Sequence, residues 1–396
     1  MATNLHPKNQ VNPGVFDEDL WLWIEKNQSA STVELRLKYG FTEPYNSAIA
    51  QIEAKQKYAS KFKSLFEERW IFPKGVALEQ SSSLDTANFK STLFATPYSA
   101  DLCAGMGIDS LAISLRDNCE RHLCFEQNKE LAKLLAYNLK QTDVIAESFE
   151  TEALKKWVEE NDIRQHQLTV YLDPDRRAHS TRTHLIEQGT PNLLINQNEL
   201  LTLACTVITK HSPMMDIHDC QKKLIGLHSI YTVQHQGECK EVLTVQKTQY
   251  NATPNLIAIE AFSGQRIEHP YPAQYSVSNR DVSCYLIQPS AGLNKSELHD
   301  YLARENGWSR LGFGNLFTCE NLPKLNPFYK VFEVKSTFTS VKNLKLSGAF
   351  AIESVGSKIS ADELRKRLKL KEGRANKLFY LQKGRTKLIV HGHLIE

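Results

Sequence analysis

The chain has 396 residues, too many for one ordinary hydrophobic core, so two or three domains are expected. Hydrophobic residues make up 41% and charged residues 23%, which excludes a disordered or membrane-embedded class. Net charge is +3, yet from Asn326 to Glu396 there are 15 Lys and Arg against 6 Asp and Glu, a basic tail that fits an anionic partner, nucleic acid first.

No apolar run approaches the roughly 18 residues a membrane helix requires. The polar start "MATNLHPKNQVNPG" has no signal-peptide core, so a cytoplasmic location and no membrane partner are expected. The eight cysteines form no C-x-x-C pair and are expected to stay reduced, mostly as small buried hydrophobes.

Residues 15 to 70 carry Trp and Leu at helical spacing. In "PYNSAIAQIEAKQKYASKFKSLFEERW", Ile49, Ile52, Tyr58, Phe62 and Leu65 share one face of a long amphipathic helix. Pro73 and Gly75 break the pattern, which closes a helical domain over 1–75. From 76 to 262 short apolar runs alternate with helical stretches. Strands are expected in "YSADLCAG", "HLCFEQ", "DVIAES", "LTVYLDP" and "VITKHSPMMD", with helices between them. That alternation is the signature of a parallel, doubly wound sheet. The run "HSIYTVQHQGECKEVLTVQ" then reads as a hairpin. The fold class expected is therefore α/β, a Rossmann-like core of mostly parallel strands closed by an antiparallel hairpin. Two small α+β domains follow, over 263–325 and 326–396. The second contains a helix with Ser360 and Glu363 at capping-box spacing and a hairpin turning at Lys383-Gly384.

The strongest local signal is "DLCAGMGIDS", residues 101–110. Asp101 ends a strand, Gly105 and Gly107 make a tight turn, and a helix begins by Asp109. Glycines let a ligand approach the backbone, and the helix start favours anionic groups. The next strand ends at Glu126, where a carboxylate can accept both hydroxyls of a ribose, with Gln127 beside it. This layout serves S-adenosylmethionine (AdoMet) or a dinucleotide. A third glycine is missing, and Asp101 precedes the glycines, where it can meet the cationic amino-acid end of AdoMet, so AdoMet is favoured. Ala104, Gly105, Met106, Gly107 and Asp109 form the expected cradle. Glu147 or Ser148, at the end of the third strand, would bond an adenine amino group, and Phe149 or Met106 would pack on its ring. Upstream, Gln80 and Ser81 would close over the methionine end, while Ser82 and Asp85 have capping-box spacing.

The fourth strand ends "YLDPDRR". Enzymes that methylate exocyclic amines place [DN]-P-P-[YFW] at this edge. Here Asp173 and Pro174 are kept, while the second proline and the aromatic are absent. Asp173 would accept a hydrogen bond from the nucleophile. Arg176 and Arg177 would grip phosphate or stack on a base, replacing the missing ring. Lys210 and Ser212 of "ITKHSPMMDIH" are candidates for a pocket wall. His211, His218 and Cys220 have no established ligand spacing, nor has "HGH" at 391–393, so no metal is expected.

In their order, "LEQSSSLDTA", "DLCAGMGIDS", "YLDPDRR", "ITKHSPMMDI" and "GECKEVL" resemble class I AdoMet-dependent methyltransferases with a helical N-terminal region, a ferredoxin-like unit and a C-terminal THUMP-like domain. The resemblance runs from about residue 35 to the end. Asp175 departs from it, standing where a small residue is usual. It implies AdoMet binding and, by analogy with true THUMP domains, delivery of RNA to the site. The expected function is methyl transfer to a base nitrogen of RNA. The alternatives are a non-catalytic RNA-binding protein with a degenerate core, and a methyltransferase for protein or a small molecule. The sequence leaves the oligomeric state open.

Overall fold

The computed structural model describes residues 11, 13–175, 185–344 and 346–396. They form two compact units, one of the residues up to His228 with Thr244–Asn251, the other of Ser229–Leu243 with Ala252–Glu396.

The first unit opens with helices α1 (Glu18–Asn27), α2 (Thr32–Tyr39) and α3 (Tyr45–Glu67). Asp17 and Ser31 cap the first two by accepting from Leu20 and Glu34 backbone N–H, a contribution of about 1 kcal/mol each. On α3, Ile49, Ile52, Phe62 and Leu65 are all buried, as their spacing implies, although the helix kinks at Tyr58 and Phe62. Near its end, Phe62 and Leu65 share a cluster with Met106, Ile108 and Leu135. The N-terminal helices therefore do not close a separate core at residue 75.

Two short helices, α4 (Val76–Gln80) and α5 (Leu84–Ser91), lead into strand β1 (Tyr98–Asp101). Then follow α6 (Ile108–Ser114), β2 (Arg121–Phe125), α7 (Lys129–Asn138), β3 (Asp143–Ile145), α8 (Thr151–Glu160), β4 (Leu168–Leu172), α9 (Leu193–Leu203), β5 (Thr206–His211) and α10 (Ile217–Lys223). The strands lie in the order β3-β2-β1-β4-β5, all parallel. Order reverses between β1 and β4, and the C-terminal ends of strands at such a switch point leave a crevice for a ligand. Asp101 pairs with Tyr171 in register there, which sets Asp101 beside the strand that leads to Asp173.

The second unit contains most of the expected hairpin, β6 (Leu227–His235) and β7 (Glu238–Lys247), turning at Gln236 and Gly237 with φ +53° and +81°. Left-handed backbone at both turn positions suits the twist of a two-residue hairpin. β6 runs parallel to β8 (Asn255–Glu260), which pairs antiparallel with β9 (Arg266–Pro270). Next come β10 (Tyr285–Pro289), α11 (Ala291–Lys295), α12 (His299–Glu305), β11 (Ser309–Arg310), β12 (Phe317–Cys319), β13 (Tyr329–Phe338), β14 (Ala349–Val355), α13 (Ala361–Leu368), β15 (Lys371–Lys383) and β16 (Thr386–Ile395). Seven of these strands make one sheet, β11-β12-β10-β13-β16-β15-β14. A boundary at 325/326 falls inside that sheet, because β10 pairs with β13 across it. The capping box of Ser360 and Glu363 is formed, and the last hairpin turns at Gly384 and Arg385.

None of the described helices is long and apolar enough to cross a membrane. The eight cysteines are free, but only Cys124 and Cys220 are fully buried, fewer than expected.

Candidate cofactor and acceptor site

The crevice at the β1 and β4 ends is built from the loop after β1. Asp101 is 1% exposed, and its carboxylate accepts from the Cys103 backbone N–H (3.1 Å) and the Ser110 hydroxyl (2.7 Å). Burial pushes this carboxyl up to about 7, against those two bonds, and the nearby Asp109 and Asp173 add to the rise. A buried carboxyl with so high a value gains from an incoming cation, which would ionise it.

The two glycines of the loop have different reasons to be glycine. Both have left-handed backbone, φ +57° at Gly105 and +87° at Gly107. A Cβ on Gly105 would meet no atom within 4 Å, so the loop surface there is open to a ligand. A Cβ on Gly107 would lie 2.3 Å from Leu135 Cδ1, so this glycine lets α7 pack against the loop. Met106 is likewise buried in the core cluster, facing Leu135 and its neighbours.

Glu126 follows β2, is 8% exposed, and accepts from the backbone N–H of Gly105 (2.9 Å) and of Asn128 (2.7 Å). Burial raises its carboxyl, while those two backbone donors pull it down. It thus ties the open glycine to the end of β2. Beyond it, the Ser148 hydroxyl lies 3.4 Å from Gln127 Oε1, and half-buried Phe149 packs edge-on to Phe125 at 5.4 Å. Gln127, Glu147 and Ser148 are exposed beside these rings, so the expected adenine side has both a ring wall and polar groups.

Asp109, expected in the cofactor cradle, has its carboxylate engaged in a buried ion pair. Lys90, with no exposed surface, contacts both its carboxylate oxygens at 2.9 and 3.0 Å. The Tyr171 hydroxyl donates to Oδ2 at 2.8 Å, and Ser82 lies 3.0 Å from it. Burial raises this carboxyl, but the ammoniums of Lys90 and Lys210 and the hydrogen bonds from Lys90 and Tyr171 together hold Asp109 below the usual carboxylate range. Ser82 is accordingly not the helix cap; Ser83 caps α5 by accepting from Thr86 N–H. The sequence reading missed Lys90 and Tyr171, because a lysine and a tyrosine in apolar surroundings signal nothing until a carboxylate is found between them.

At the β4 end, Asp173 Oδ2 is 2.5 Å from Lys210 Nζ, and Lys210 is 8% exposed. The pocket-wall lysine is thus the partner of the expected acceptor carboxylate. Pro174 is buried, and Asp175 exchanges two backbone hydrogen bonds of 2.9 Å with Thr190. Arg176 and Arg177 lie outside the described residues. Burial and the carboxylates of Asp101 and Asp173 push the Cys103 thiol well up, which opposes a thiolate nucleophile here. Gln80 is exposed at the end of α4, and Ser81 beside it contacts Lys61. Among the described residues no three His, Cys, Asp or Glu side chains gather to hold a metal.

No family model and no curated protein matches the chain. Among solved structures it is similar to a candidate methyltransferase from Porphyromonas gingivalis W83, with a TM-score of 0.80 at 21% identity, over 96% of this chain and 100% of that one. A candidate methyltransferase from Streptococcus mutans in complex with SAH is matched at 13% identity, over 40% of this chain and 93% of that one, with a TM-score of 0.28. A candidate RNA methyltransferase from Pyrococcus horikoshii gives 18%, 37% and 62%, with a TM-score of 0.24. The first likeness, nearly full-length, shows the fold: a Rossmann-like α/β core shared with that structure. The other two are too partial to carry an argument.

Proposed function

We propose that this chain is an AdoMet-dependent methyltransferase acting on a base nitrogen of RNA. One observation carries the cofactor half: at the switch point of the parallel sheet, the open backbone of Gly105 lies between two buried carboxylates, Asp101 and Glu126. Glu126 would accept the ribose hydroxyls with the lone pairs its backbone donors leave. Asp101 would take the ammonium of the amino-acid end. Gln127, Ser148 and Phe149 would hold the adenine. Bound there, AdoMet supplies an electrophilic methyl group.

Asp173 would orient the acceptor nitrogen through the oxygen that Lys210 does not contact. Methyl transfer is an in-line displacement, so a fixed carboxylate helps chiefly by aiming the amine and steadying the charge that develops on it. Lys210 fixes this one. The RNA half rests on the basic segment of the second unit and on the resemblance to methyltransferases with a THUMP-like domain. On α13 and the start of β15, Lys366, Arg367, Lys369, Lys371 and Arg374 are exposed in close succession. A run of this kind suits phosphates rather than base edges.

Calorimetric titration tests the cofactor half. The parent binds AdoMet and Glu126→Ala binds it at least about tenfold more weakly, the scale of one lost hydrogen-bond pair to a charged group. Equal affinity in a folded variant would remove Glu126 from the site.

A further inference from the structure

The amino-acid end of AdoMet carries a carboxylate as well as an ammonium, and Asp101 answers only the second. Three lysines of the first unit, Lys61, Lys90 and Lys210, lie close enough to Asp109 to interact with it electrostatically. Lys90 is committed to Asp109 and Lys210 to Asp173. The third, Lys61, comes from the last turns of α3, beyond the kink at Tyr58. Among the described residues its ammonium bonds to neutral acceptors: the carbonyls of Leu78 (3.4 Å) and Glu79 (3.3 Å) and the hydroxyl of Ser81 (3.4 Å). All three bonds are long, so they are readily exchanged for a shorter, charge-assisted one.

Lys61 is half-buried, and burial together with the nearby Lys210 brings its ammonium down to about 8. Such a group gains when an anion arrives. Its position relative to Asp101 follows along a short relay. Ser81 precedes Ser82, which meets Asp109 at 3.0 Å, and Asp109 precedes Ser110, which donates to Asp101 at 2.7 Å. Lys61 is thus linked to the start of α6, where Asp109 and Ser110 lead to Asp101, and it is close enough to Asp109 and Lys210 to feel their charges.

We infer that Lys61 is a cofactor-binding residue, reaching from the N-terminal helices to hold the carboxylate of AdoMet while Asp101 holds its ammonium. This rests on the AdoMet reading above. It gives the N-terminal helical segment a direct part in cofactor recognition.

The test compares two probes by calorimetry: AdoMet, and methylthioadenosine, which keeps the adenosine and sulfur but has neither ammonium nor carboxylate. Lys61→Met is expected to weaken AdoMet about tenfold or more, the scale of a lost charged hydrogen bond, and to leave methylthioadenosine unchanged. Lys61→Arg, which keeps the charge, retains most of the preference for AdoMet. As pH rises above about 8, where Lys61 loses its proton, that preference falls more steeply in the parent than in Lys61→Arg, since the α-ammonium of AdoMet titrates alike in both. If Lys61→Met weakens both probes alike, or neither, Lys61 does not hold the carboxylate. A folded parent that binds neither probe overturns the AdoMet reading, and this assignment with it.

Discussion

Replacing Asp101 by Asn separates what this residue does for the fold from what it does for the ligand. The amide has nearly the same shape. It can still accept from Cys103 N–H and, with the Ser110 hydroxyl turned round, donate to that oxygen in place of accepting from it. What it removes is a buried titrating group. Raising a carboxyl from its usual 3.8 to about 7 corresponds to about 4 kcal/mol, at about 1.4 kcal/mol for each tenfold change. The sign follows from proton counting. The folded state keeps a proton that the unfolded chain releases, so the parent's stability from this group is full below about pH 3.8 and is lost as pH rises through about 7. Asn does not titrate. Its advantage over the parent is nil in acid, grows from about pH 4, and levels off above about pH 7 at no more than about 4 kcal/mol. Urea unfolding followed by tryptophan fluorescence, at about pH 5 and about pH 8, reads the difference directly. The same variant binds AdoMet about thirtyfold more weakly, having lost a charged partner worth about 2 kcal/mol. An Asn variant equally destabilised at both pH values would refute the reasoning, because the carboxylate would then be held by contacts that outweigh its burial.

The paired glycines give opposite outcomes. Gly107→Ala drives a Cβ into Leu135 and lowers stability by about 2 kcal/mol or more, whereas Gly105→Ala loses about 1 kcal/mol to backbone strain but most of the AdoMet affinity; a thermal melt and a titration on each variant check this. Lys90→Met leaves Asp109 buried beside a hydrocarbon and destabilises by about 3 to 5 kcal/mol in chemical unfolding. Adding Asp109→Asn recovers part of that loss, and full additivity of the two changes would show that the residues do not form a unit. Neutralising Lys366, Arg367, Lys369, Lys371 and Arg374 together flattens the salt dependence of RNA binding, by about 0.7 in slope for each single-strand phosphate that the protein no longer neutralises. An unchanged slope would place the RNA grip elsewhere.

Much of the scaffold was legible because its signals are periodic or local. Alternating strands and helices pointed to the parallel sheet, and Asp101, Gly105 and Glu126 could be placed at strand ends by counting along it. The misreadings share a cause. Asp109 sits at a helix start, where a carboxylate normally serves the backbone or a ligand, and only the fold reveals that a fully buried lysine 19 residues earlier claims it. Ser82 reads as a cap by spacing, yet its neighbour Ser83 does the capping. Gly107 reads as a ligand glycine, and nothing in the sequence signals that α7 also requires a glycine there, because that packing is a tertiary fact. The boundary near residue 326 was drawn where composition changes, but hydrogen bonding between β10 and β13 ignores charge. Nothing in the helical period of α3 announces that Lys61 will meet Ser81 and the carbonyls of Leu78 and Glu79.

The central claim, methyl transfer to RNA, is tested most directly with methyl-labelled AdoMet. The protein is incubated with RNA from cells that lack it, beside a protein fraction from the same cells and beside the Asp173→Ala variant. Label that enters RNA with the parent, stays out of the protein fraction, and vanishes with the variant is the result expected here. Label that enters only protein, or RNA labelling that persists undiminished in a folded Asp173→Ala variant, would contradict it.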